Sequence, residues 1–157
     1  MKRKQILILF PLFINLVLSA CDPGTYNFDY EELKNNVAGV ELINYNNLKV
    51  RKIKNIGELL PFDFNLMEII EVLPEEKIDT FLKEYSTAYF LEIFDYLDSP
   101  NGKGLRLLYK NDDFMVICLE TYYVCKFDAS GNVKHFFTYM YQMVLIRIIN
   151  KYFNTKV

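Results

Sequence analysis

One histidine, three cysteines and six glycines are all that the 157 residues hold of those types, and each scarcity removes a class of chemistry. His135 alone cannot build a zinc site, and no Cys, His or carboxylate spacing surrounds it. The glycines form no phosphate-cradling loop. Serines are also scarce, and none occupies a G-x-S-x-G elbow. No apolar run reaches the length of about 20 residues that a membrane-spanning helix needs. Positive charge is limited as well, with 18 basic residues against 20 acidic ones. Phosphate binding needs concentrated positive charge, so nucleic acid is not expected as a partner.

What is present begins at the N-terminus. Lys2, Arg3 and Lys4 form a positive segment, and an apolar run follows from Ile6 to Leu18, broken by Pro11 and Asn15. A charged start, a short apolar run and small residues before a cut describe a secretory signal. The run closes on Leu18-Ser19-Ala20-Cys21. That ending resembles the lipobox of bacterial lipoprotein precursors. The resemblance covers residues 1–21 only. It implies diacylglyceryl transfer to the Cys21 thiol, recognition of Leu18, Ser19 and Ala20 by the signal peptidase, and cleavage before Cys21. It also implies acylation of the new N-terminus. The organisation expected is a removed signal (1–20), a lipidated cysteine with a short tether (21–28) and one α+β domain (29–157). Asp22 resembles an inner-membrane retention signal of some double-membrane bacteria.

Cleavage after residue 20 of the 157 leaves 137 residues, enough for one domain with a core. That part carries 15 of the basic and all 20 acidic residues, a net charge of −5. It also carries all 12 tyrosines and 11 of the 13 phenylalanines, a content that favours strands and a large core. Cys118 and Cys125 are seven apart in one β-like run, where a straight strand points them to opposite faces. Pairing them requires a reversal near Thr121 and Tyr122, which are not turn residues. Two buried thiols are therefore expected rather than a disulfide.

Along the chain, Asp29 and Glu32 resemble a capping box and start a helix over about Tyr30–Asn36. Val40–Tyr45 reads as a strand. Lys49, Arg51, Lys52 and Lys54 make 48–56 the most basic stretch of the mature part. It reads either as a solvated face or as a contact for anionic lipid headgroups. Leu66–Leu73 reads as a strand covered on both faces. Pro74 starts a helix over Glu75–Tyr85, with Ile78, Phe81, Leu82 and Tyr85 on one stripe facing the core. A four-strand meander then follows: Tyr89–Leu97, Gly104–Lys110, the run Phe114–Phe127, and Val133–Thr138. Turns at 98–102, 111–113 and 128–132 separate its strands. Met140–Phe153 reads as a helix laid on the sheet, with an interfacial helix or a strand over Thr138–Ile146 as alternatives. The fold class expected is α+β: an antiparallel sheet of five to six strands with two to three helices packed on it.

No catalytic residue, metal site or cofactor is expected beyond covalent lipid on Cys21. A Cys–His pair of His135 with Cys118 or Cys125 is formally open. All three sit in apolar strands, however, where structural roles are expected. Asp95, Asp98, Asp112, Asp113 and Asp128 cluster near the turns and read as solvated turn residues. Hydrolysis by paired carboxylates is the enzymatic alternative. The function expected is a non-catalytic binding module, held on the extracytoplasmic face of a membrane by its lipid and meeting an envelope protein. The alternative is an immunity-type lipoprotein that neutralises an envelope-acting toxin or enzyme. The specific ligand-binding residues are not legible.

Overall fold

The computed structural model describes residues 25–49, 51–53, 58–92, 97–121, 123–137, 139–141, 143–155 and 157. Leu18, Ser19, Ala20, Cys21, Asp22, Lys54 and Asp95 lie outside the described residues. The elements run β1 (Thr25–Asn27), α1 (Tyr30–Asn36), β2 (Val37–Tyr45), β3 (Lys52–Ile53), a 3-10 turn (Phe64–Leu66) and β4 (Met67–Val72). They continue α2 (Glu75–Tyr85), β5 (Tyr89–Glu92), β6 (Leu97–Asp98), β7 (Gly102–Tyr109), β8 (Phe114–Cys118) and β9 (Tyr123–Phe127). β10 (Val133–Phe137), β11 (Tyr139–Tyr141) and α3 (Met143–Tyr152) complete the chain. The fold is α+β. Its centre is a six-stranded antiparallel sheet in the order β10-β9-β8-β7-β2-β4. A three-stranded sheet (β1-β5-β11) and the two-stranded β3-β6 ladder flank it.

Local chemistry sets the starts of α1 and α2. Asp29 Oδ1 accepts from the Glu32 backbone N–H at 2.8 Å, satisfying one orphan donor of α1. α2 begins after Pro74, with Glu75 and Glu76 at its positive end. Its stripe turns inward: Phe81, Leu82 and Tyr85 are buried and Ile78 is partly buried. Full burial of such a side chain stabilises by about 1.5–3 kcal/mol.

Strand alternation gives the central sheet two apolar faces. On one face Val40, Leu42, Leu105, Leu107, Met115 and Ile117 pack with α2, α3 and Phe28 of the β1–α1 connection. On the other face Ile43, Tyr45, Phe114, Val116, Cys118 and Phe127 pack instead under residues 59–66. Phe62 is the centre of that cover, with ring centroids 4.7 Å from Tyr45 and 5.3 Å from both Phe114 and Phe127. The Phe62 N–H donates to the Gly131 carbonyl at 2.7 Å, which ties this strap to the β9–β10 turn. Gly131 has φ +85°, and a Cβ there would lie 2.8 Å from the Phe62 carbonyl oxygen.

Several sequence expectations change. The strand from residue 66 is not covered on both faces. β4 is the edge of the sheet, with Ile69 and Val72 about half exposed. Its broken alternation comes from a bulge, since one step on β2 (Leu42 to Ile43) spans two on β4 (Glu71 to Ile69). The meander starts at β7, not at Tyr89, because β5 leaves for the sheet with β1 and β11. The 114–127 run is not one strand. It folds into β8 and β9 through a turn at 119–121, despite the absence of turn-forming residues. That turn is held from outside: Leu119 N–H donates to the Lys103 carbonyl, and Asn101 N–H donates to Thr121 Oγ1. The last helix begins at Met143, and Tyr139–Tyr141 is a strand. The strand expected from Val40 begins at Val37, directly after α1, and part of the expected tether, Thr25–Asn27, is a strand paired with β5.

Candidate functional site

Two clefts flank the central sheet. The first has a volume of about 490 Å³ and lies where the strap meets β3. Its floor is aromatic, formed by Tyr45 of β2, Phe62 of the strap, and Tyr123 and Phe127 of β9, three separate segments. Leu60 stands at its rim, 69 % exposed. Lys49, Arg51, Glu58 and Asp63 supply charge of both signs around the mouth. The rim is built on hydrogen bonds: Arg51 N–H donates to Ser99 Oγ at 3.0 Å, and Arg51 Nη2 donates to the Glu58 carbonyl at 2.7 Å. Tyr45 donates no charge here. Its hydroxyl accepts from Asp63 N–H at 3.1 Å, and burial raises its pKa.

The second cleft, about 500 Å³, lies between α1 and the far end of β7, β9 and β10, with Tyr26, Glu32, Tyr109, Lys126, Lys134 and His135 on its walls. Asp113 anchors the nearby charges. Its Oδ2 accepts from Lys134 Nζ at 2.9 Å and lies 3.9 Å from Lys126 Nζ. Lys126 also sits over the Tyr109 ring, 4.2 Å from the centroid. Burial, then the Glu32 carboxylate, pushes the Tyr109 hydroxyl up to about 12.

His135 is exposed on the edge strand β10, opposite Lys126, on the helix-bearing face. Cys125 belongs to the other face, and its thiol lies 3.3 Å from the His135 carbonyl oxygen rather than the imidazole. Cys118 and Cys125 are free, buried thiols on one face. They are not opposite each other, since Cys118 faces Tyr123 and Cys125 faces Val116. Burial pushes both thiols up to about 12, so neither presents the thiolate that nucleophilic chemistry uses.

The carboxylates were candidates for acid–base work. Among the described residues, every carboxylate whose ionisation its surroundings move is moved down. Lys134 does this for Asp113, the Asn132 side chain for Asp128, Tyr30 for Asp79 and Lys151 for Glu84. At Glu71 burial opposes ionisation, but hydrogen bonds from Asn154 and Thr155 outweigh it. A general acid needs the opposite shift. Among the described residues no group of three or more His, Cys, Asp or Glu could hold a metal ion. No helix among them is long and apolar enough to cross a membrane.

No family model, curated protein or solved structure matches this chain. The clefts must therefore be read on their own chemistry. The first could not have been found in the sequence, because its floor comes from segments dozens of positions apart with no shared motif. The only sequence signal near it was the basic stretch at 48–56.

Proposed function

We propose that this chain is a membrane-anchored lipoprotein of the cell envelope whose domain acts by binding an envelope protein. The Leu18-Ser19-Ala20-Cys21 ending after a basic and then apolar segment supports the anchor. One observation carries the binding reading: the aromatic floor of the first cleft, open to solvent and ringed by mixed charge. Concave, mostly apolar sites with a few placed polar groups are what ligands and protruding side chains occupy. An apolar side chain of the partner fits the floor, and charged neighbours on that partner meet Glu58 and Asp63. The carboxylate-hydrolase reading finds less support, because the shifted carboxylates are stabilised as anions.

Two measurements test the proposal. Metabolic labelling with a fatty-acid probe marks the wild type and not Cys21→Ala; equal label in both refutes the anchor. In-cell crosslinking of the anchored protein, with Leu60→Glu as the cleft variant, enriches a partner that the variant loses. Leu60 is largely exposed, so its replacement leaves the fold intact. A partner captured equally by both proteins, or none at all, refutes the cleft as the binding surface.

A further inference from the structure

We infer that the loop bearing Leu48 is a second membrane contact, which rests on an anionic lipid bilayer beside the lipid anchor. This rests on the anchoring reading above. Leu48 follows β2 and is 99 % exposed. Its neighbours Lys49, Arg51 and Lys52 are exposed too. The loop is braced on both flanks. Asn47 N–H donates to Asn101 Oδ1 at 2.9 Å, and Lys49 N–H to Asn47 Oδ1 at 3.0 Å. Ser99 N–H donates to the Arg51 carbonyl at 2.8 Å. A leucine presented to water by a braced turn gains nothing from the fold. Flanked by cations it suits a bilayer surface, with its side chain at the acyl boundary and its charges among anionic headgroups.

The anchor is tied to the domain by a short segment. Thr25 pairs with Leu91 in the β1–β5 ladder. Four peptide steps separate Thr25 from Cys21, about 14 Å at full stretch. Acyl chains on Cys21 therefore hold the domain against the bilayer, and the Leu48 loop, at the Tyr45 end of the central sheet, makes the second contact. The turn carrying Ser130 lies at the opposite end of the central sheet, after β9.

The test uses the full-length protein with Leu48→Cys carrying a polarity-sensitive fluorophore, and Ser130→Cys labelled in the same way. Cys118 and Cys125 are buried and stay unlabelled in the native protein. Vesicles contain a lipid-borne quencher in phosphatidylcholine, with or without phosphatidylglycerol. Quenching at position 48 is expected with phosphatidylglycerol and not at position 130. In the Cys21→Ala background the same signal persists as weak, salt-sensitive binding. There Lys49→Glu/Lys52→Glu weakens it about thirtyfold, at roughly a factor of five per cation. If the anchored protein floats with vesicles but position 48 is no more quenched than position 130, the tip is refuted and the anchor stands. If intact mass shows no lipid on Cys21, the anchoring reading fails. Quenching at 48 on anionic vesicles then decides the tip alone, and its absence refutes it.

Discussion

Glu41 and Arg106 face each other across β2 and β7, and Arg106 donates from both Nε and Nη2 to the same oxygen, Glu41 Oε2, at 2.7 and 2.6 Å. Both side chains are about nine-tenths buried, and the guanidinium carbon lies 5.8 Å from the centre of the Phe114 ring. Removing one partner leaves a charge without its counterion in an apolar layer. Arg106→Leu or Glu41→Leu is expected to cost about 3–5 kcal/mol, and the double replacement to recover most of that loss. Urea unfolding of the four proteins measures the coupling. A double variant as unstable as the two losses summed would show that the pair does not act as a unit.

Tyr85 is fully buried between Phe28, Phe81 and Phe90, and its hydroxyl has no hydrogen-bond partner among the described residues. The ring earns its place by packing, and the oxygen works against it. Tyr85→Phe is expected to raise stability by about 1 kcal/mol, since it removes an unsatisfied polar atom without changing the shape. A thermal melt below that of the wild type would contradict this.

Asp113 gives the domain an acid-sensitive joint. Its carboxylate takes hydrogen bonds from Lys134 and Asn111 and is held below its usual pKa, chiefly by Lys134. A group with a lowered folded pKa contributes fully above its unfolded value of about 3.9, and that contribution fades as pH falls through the folded value. Asp113→Asn is expected to cost about 1.5–3 kcal/mol at neutral pH, the range for hydrogen bonds to charged groups. The same change should flatten the loss of stability below about pH 4. Melting temperatures from pH 2 to 7 for both proteins make the comparison. Parallel curves would remove Asp113 from the acid response.

The two thiols supply a chemical test of the β8–β9 hairpin. Both are buried and protonated at neutral pH. Iodoacetamide is expected to leave Cys118 and Cys125 unmodified in the folded protein and to alkylate both once urea opens it. Intact mass without reductant reads the result. Failure to alkylate after unfolding would show that the cysteines are bridged.

The parts of this fold that could be read from sequence are those whose cause is local. Asp29 and Pro74 mark helix starts by their own chemistry, and the Asp128–Asn132 turn carries its glycine at the position that needs positive φ. The edge position of β4 and the departure of β5 were hidden, because each depends on which distant strand arrives to pair. The 119–121 turn was hidden for a related reason. Asn101 and Lys103 stabilise it from the neighbouring strand, so the turn carries no signature of its own. The aromatic floor of the first cleft combines both difficulties. Nothing in the sequence around Phe62 marks it, yet it closes one face of the sheet.

The strand order also sets a schedule for assembly. β7 to β10 join by short reversals and can zip as they emerge, whereas β2, though it meets β4 early, waits for β7: Glu41 and Arg106 are 65 positions apart. Contacts that distant form late, after the entropy of closing a long loop has been overcome. On the anchoring reading, a chain exported N-terminus first presents Cys21 to the acylating and cleaving enzymes while its sheet is still half made. Those enzymes would then act on an open chain, and closure of the domain would follow its attachment to the membrane.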